Sequence, residues 1–173
     1  QELGEVQKAI SCYEKAIEID PNFEKAHNNL GAIFQELGEV QKAISCYEKL
    51  IEINPNNQNT INSLSLFLSE YRFDHKSLNN IYGLQEIFLF LFKKNNINHS
   101  NIFQNVKLIL FSQEEENKLL ESVNSDSLLK DKILQSLLKD ELFLLVIQKS
   151  LIVDKFLEKL LIKLRYEIFL TLE

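Results

Sequence analysis

The chain has 173 residues, enough to bury a sizeable core and to form one domain or two small ones. Nineteen Lys and Arg against 25 Asp and Glu leave a net charge of −6, which argues against a dedicated nucleic-acid binder. Residues 1–57 hold 5 of the basic and 10 of the acidic residues, a net −5, so most of the charge sits at the front.

The first fifteen residues, Gln1 to Lys15, return unchanged at Gln35 to Lys49, which fixes a repeat period of 34. A period of that length points to stacked helix-turn-helix units. One complete unit runs from Glu24 to Asn57. Gly31 and Ala43 are small where its two helices approach closely, and Leu30, Phe34, Ile44, Tyr47 and Leu50 recur at helical spacing around that contact. Gly38 is placed to stop the first helix in the left-handed conformation. Pro55 closes the second helix and, like Pro21 one period earlier, leads into the next.

The spacing Leu30, Gly31, Phe34, Gly38, Ala43, Tyr47, Pro55 resembles the tetratricopeptide repeat (TPR), with His27 in place of the usual Trp. The resemblance covers residues 1–57. It implies an all-α fold, a helix-turn-helix solenoid, working as a scaffold whose concave face, built from the first helix of each unit, holds a peptide or partner protein. On that pattern Lys25, Asn28, Asn29, Ala32, Gln35 and Glu36 line the face in the complete repeat. Asn59, Asn62, Ser63 and Leu66 follow in the next. An asparagine amide both gives and accepts hydrogen bonds, so it can read an extended backbone without demanding a sequence. In arrays of the protein-glycosylating type, an Asn just before the Leu-Gly pair, similar to Asn29, lines the groove. The alternative is that these are ordinary surface amides in an Asn-rich chain. A clamp for a carboxylate needs a cluster of cations, and only Lys25 is available.

Cys12 and Cys46 are one repeat position seen twice. Helices in such a stack lie about 8 to 10 Å apart, whereas a disulfide needs Cα atoms within about 6.8 Å, so the two are not expected to pair and read as semi-buried fillers. With no cysteine framework and no signal peptide, a cytoplasmic location is expected. The chain opens at Gln1, inside a repeat's first helix and without an initiator Met, as a fragment would. The face of the Val6 to Ile19 helix is therefore expected to be exposed or buried by self-association.

Gln58 to about Tyr71 reads as a third first-helix, with Ile61, Leu64 and Leu68 inward. The pattern then decays, with Ser65 and Arg72 standing where Gly31 and Gly38 stood and Leu89 where Pro is expected. The stripe Leu78, Ile81, Leu84, Phe88, Leu91 predicts a helix from about Asp74 to Lys93. Residues 1–93 thus comprise one partial, one complete and one degenerate repeat, and 94–173 a helical extension expected to cap the stack, since repeat ends require cover.

Lys93 to Asn101 is polar and Asn-rich, a loop. Ile102, Val106 and Ile109 predict a helix to Phe111, although VKLILF alone could form a strand. Ser112 with Glu115 forms a capping box that starts a helix at Gln113 and carries it to about Val123, with Glu114 to Glu116 as first-turn charge. After a turn at 124–127, the leucines from Leu128 to Leu138 predict a further helix. Leu142 to Ile147 is an unbroken apolar run, read as a buried helix and far short of the ~20 residues that span a membrane. From an N-capping Asp154 to about Thr171, Leu157, Leu160, Leu161, Leu164 and Ile168 face one way, and Lys155, Lys159 and Lys163 form a solvated face.

A second resemblance covers about Asn95 to Glu173. Leu138, Asp140, Leu145, Asp154, Glu158, Leu161, Leu164 and Arg165 are similar to the helical segment between TPR units and an S-adenosylmethionine-dependent methyltransferase domain in some bacterial fusion proteins. It implies an alternative function, as the substrate-positioning region of a larger transferase of the methyltransferase or glycosyltransferase type, with the catalytic domain absent. The four glycines form no phosphate-cradling turn, and His27, His75 and His99 have no metal-ligand spacing. No catalytic residues, metal or cofactor are expected, and the partner is a protein or peptide, with neither nucleic acid nor membrane involved.

Overall fold

The computed structural model describes residues 2–73, 83–124, 128–149 and 155–170, and among these the fold is all-α. The described residues up to Tyr71, with Gly83 to Ile87, form one compact unit. Arg72, Phe73 and the residues from Phe88 onward form the other.

The first unit is built from α1 (Glu2–Ile19), α2 (Glu24–Glu36), α3 (Val40–Ile53) and α4 (Gln58–Glu70), each packed on the next. The tightest pair is α2 with α3, and glycine makes it possible. A Cβ on Gly31 would stand 3.4 Å from the Cys46 Cβ and 3.5 Å from the Tyr47 ring, so the backbones meet with no side chain between them. Ala26, Leu30, Phe34, Ala43, Ile44, Tyr47 and Leu50 close around that contact, all buried. Tyr47 then stacks on Phe67 of α4, ring centroids 6.0 Å apart, which carries the core into the following repeat. At the end of α2 Gly38 has φ of 70°, the left-handed value expected of it. The loops before α2 and α4 are the same turn twice: Asp20 Oδ1 accepts from the Asn22 N–H at 3.0 Å, and Asn54 Oδ1 from the Asn56 N–H at 3.4 Å.

Gly4 behaves differently from Gly38, although the fifteen residues around each are identical. Here α1 runs unbroken from Glu2 to Ile19, and the only glycines of positive φ among the described residues are Gly38 and Gly83. Cys12 is exposed rather than semi-buried, whereas Cys46 is buried against Gly31.

The helix predicted from Asp74 to Lys93 is not continuous. Gly83 has φ of 79°, which a helix cannot accommodate, and α5 (Leu84–Lys93) begins after it. Leu84, Phe88 and Leu91 are buried as expected, whereas Leu78 and Ile81 lie outside the described residues.

The second unit contains most of α5, with α6 (His99–Leu110), α7 (Gln113–Val123), α8 (Lys132–Leu137), α9 (Glu141–Lys149) and α10 (Lys155–Leu170). Its centre is Phe111, set edge-on to Phe143 at 6.1 Å and to Phe156 at 5.3 Å. Two expected helices are reshaped by short polar side chains. Asn98 accepts from the Ser100 N–H, so α6 starts at His99 rather than Ile102. The helix expected over Leu128 to Leu138 is divided into a 3-10 turn (Leu128–Lys130) and α8, because Asp131 Oδ1 accepts from the N–H groups of Ile133 and Leu134 at 2.8 and 3.2 Å. The capping box at Ser112 and Glu115 is present, and α7 has the bounds it predicts. The apolar run from Leu142 is helical, with Leu142, Phe143 and Val146 buried and Leu144 partly exposed.

On α10, Leu157, Leu160 and Leu164 are buried. Lys155 and Lys159 are exposed, but Lys163 is not part of a solvated face: it is largely covered and lies 3.7 Å from Glu167. The Glu167 carboxylate accepts from the Leu128 and Leu129 N–H groups at 3.3 and 3.0 Å, and so fastens α10 to the 3-10 turn. Asp154 and Thr171 lie outside the described residues, as does His75.

Candidate peptide-binding face

The face is made by helix periodicity. On α2 the inward residues Ala26, His27, Leu30, Gly31 and Phe34 are buried, which leaves Lys25, Ala32 and Glu36 exposed and Asn28, Asn29 and Gln35 half-buried. On α4 the inward residues are Thr60, Ile61, Leu64, Phe67 and Leu68. Asn59, Asn62 and Leu66 are exposed there, and Ser63 is half-buried. All ten residues singled out from the repeat pattern lie on these two helices, and none enters the core.

Two contacts order this surface. Tyr47, buried in the α2–α3 contact, donates its hydroxyl to Gln35 Oε1 at 3.4 Å. On α4 the Gln58 amide donates to Asn62 Oδ1 at 2.7 Å. Leu66 occupies the place of Ala32 one period on and is 56% exposed, a large apolar spot on a mostly polar strip.

A residue outside the predicted set ties the two helices together. Asn57 caps α4, its side-chain oxygen accepting from the Asn59 N–H at 3.0 Å and the Thr60 N–H at 3.5 Å. Its amide nitrogen donates to Glu24 Oε2, in the first turn of α2, at 2.7 Å. The sequence signal was present in an N-capping residue type placed 33 residues after an acidic one, almost one full period.

The titratable groups elsewhere are explained by packing. His27 is buried with Nε2 3.0 Å from the Pro21 carbonyl oxygen. His99 Nε2 is 3.3 Å from the Leu91 oxygen, and burial is the main cause holding its pKa below the usual value. Burial pushes the Cys46 thiol up to about 11, which leaves it unreactive at neutral pH. Glu48, Glu52 and Glu86 line a cleft of about 270 Å³ with Ile51 and Ile87. Glu48 is raised there by burial first, then by the charges of Glu86 and Glu52. In the second unit Lys118, Glu121, Ser122, Asp131 and Lys132 border a mixed-charge cleft of about 480 Å³. Among the described residues no three His, Cys, Asp or Glu side chains are grouped to hold a metal ion, and no helix is long and apolar enough to cross a membrane.

Comparison with known families bears on the front of the chain alone. A TPR repeat model matches residues 2–38, and a tetratricopeptide repeat model matches 24–57. The similarity of the C-terminal half to a segment preceding a methyltransferase domain is not among these matches. No curated protein and no solved structure matches the chain. The pairing of α2 with α3, the 34-residue period and both family matches agree that tetratricopeptide repeats occupy residues 2–57, a repeat type that suggests a role in protein–protein interaction.

Proposed function

We propose that the chain is a binding module without chemistry of its own, and that the exposed side of α2 and α4 holds an extended segment of a partner protein. The observation that carries this is the division of residues on the two helices. Every large apolar residue of α2 is turned into the core except Ile33, half-buried, and the outward strip is Lys25, Asn28, Asn29, Ala32, Gln35 and Glu36. Amides in such a row can pair with the N–H and C=O groups of a peptide backbone. Leu66 offers one apolar contact, and a net −5 over residues 1–57 disfavours an acidic ligand.

The test is capture of partners from a lysate by the chain and by a variant carrying Lys25→Ala, Asn28→Ala and Asn29→Ala, with circular dichroism to establish that both are folded. A partner held by the parent and lost by the variant is expected. Equal capture by the two would overturn the reading.

A further inference from the structure

His99 is a buried titratable side chain that the binding face does not use, and it sits where two helices of the second unit are joined. It is the first residue of α6, only 8% exposed, and its ring lies 4.9 Å from that of Phe92, which is fully buried near the end of α5. Its Nε2 is 3.3 Å from the Leu91 carbonyl oxygen. A carbonyl only accepts, so the neutral ring carries its proton on Nε2 and ties the start of α6 back to the last turn of α5. Two further ties hold the corner at the surface, both to α9, which packs on α6. Lys93 pairs with Glu141 at 2.9 Å, and Lys149 donates to Asn95 Oδ1 at 2.8 Å.

We propose that this corner is an acid-sensitive catch: neutral His99 holds α5 and α6 together, and its protonation in mildly acidic surroundings releases the start of α6. The groups around the ring favour the neutral form. Among the described residues the charge that acts on the ring is that of Lys149 on α9, a cation. Lys93 on α5 is matched by Glu141, and Lys94 lies over the Phe90 ring at 4.6 Å, so neither brings a carboxylate to the imidazole. The positive end of the α6 dipole falls on residue 99 as well. Burial opposes the charge most, the backbone of Leu91 and Lys94 favours it, and the balance leaves the ring harder to protonate than a free histidine.

The direction of the pH effect follows. The unfolded chain takes up this proton as pH falls through about 6.5, and the native corner does so only at lower pH. Between the two, the folded-to-unfolded ratio drops by up to about tenfold for each unit of pH.

The full chain is titrated from about pH 8 to about pH 5, across the range in which a histidine changes charge. The imidazole Cε1–H resonances are followed by NMR, assigned by replacing each histidine in turn with glutamine. Exchange of the amides over residues 95–102 is measured on the same samples and corrected for the intrinsic effect of pH. His99 is expected to titrate below the value of about 6.5 for a free histidine, and protection at the corner to fall about tenfold as it does. His99→Gln keeps an N–H donor for the Leu91 oxygen and has no ring to protonate, so protection should no longer change with pH. Lys149→Gln keeps a donor for Asn95 and removes the cation, so the His99 midpoint should move up, a shift that loss of packing alone would not give. A His99 midpoint at or above about 6.5, or protection that stays level across its titration, overturns the proposal. So does a response that survives in a folded His99→Gln chain. Should that variant fail to fold, the midpoint and the exchange of the parent chain decide between the two outcomes.

Discussion

Replacing Gly4 and Gly38 by alanine, one at a time, isolates backbone conformation from everything else. The two glycines share their sequence neighbours, and an added Cβ would meet nothing within 4 Å at either position. Gly4 lies in the first turn of α1, where alanine removes part of the roughly 0.8 to 1 kcal/mol by which glycine disfavours a helix. A gain of about 0.5 kcal/mol is expected. Gly38 holds φ of 70°, where a residue bearing Cβ costs about 1 to 2 kcal/mol. Gly38→Ala should therefore destabilise by about that amount, and the two variants should differ by about 1.5 to 2.5 kcal/mol with opposite signs. Urea unfolding followed by far-UV circular dichroism measures both, with unchanged m values as the sign that the denatured state is unaffected. Shifts of the same sign at the two positions would refute the assignment of a helix to one copy and a turn to the other.

Three further outcomes are expected. Asn57→Ala removes the α4 cap and the bond to Glu24 together and should cost about 1 to 2 kcal/mol in the same unfolding assay, whereas Asn56→Ala should cost less. Gly83→Ala combines a φ of 79° with a Cβ that runs into the Glu48 carboxylate, so a loss of about 2 kcal/mol is expected and Glu48→Ala should restore only the steric part. Ser112→Ala should cost about 1 kcal/mol at neutral pH. Glu115 is held below the usual carboxylate range, first by the Ser112 N–H and then by its hydroxyl, so the stabilisation is present above the unfolded pKa and is lost as pH falls through the lower folded one. The gap between parent and variant should accordingly narrow in acid, as read from unfolding midpoints across a pH series.

What the sequence discloses and what it conceals follow from how far each signal reaches along the chain. Ala43 and Tyr47 could be read because a 34-residue period lets each be checked against its copy, Ala9 and Tyr13. Ser112 with Glu115 could be read because a capping box is complete within four residues. Asp131 was hidden, since its capping role depends on the leucine stripe on either side yielding, and the stripe alone suggests one helix. Gly83 and Gly31 look alike in sequence, yet the first has a left-handed φ of 79° just ahead of α5 and the second sits inside α2. On the candidate face, helix periodicity placed all ten residues outside the core, but the amide of Asn57 joining α2 to α4 spans 33 residues and belongs to no local pattern.

That amide makes the array directional. Asn57 starts α4 with its oxygen and grips α2 with its nitrogen, so the helix it initiates is placed relative to one that already stands. One period earlier the same station is occupied by Phe23, which has no polar group to offer, and α2 begins without a side-chain cap. Solenoids owe their cooperativity to such neighbour terms. Here the polar tie that Asn57 supplies between α4 and α2 has no counterpart at Phe23, so successive repeats are not joined by equal terms.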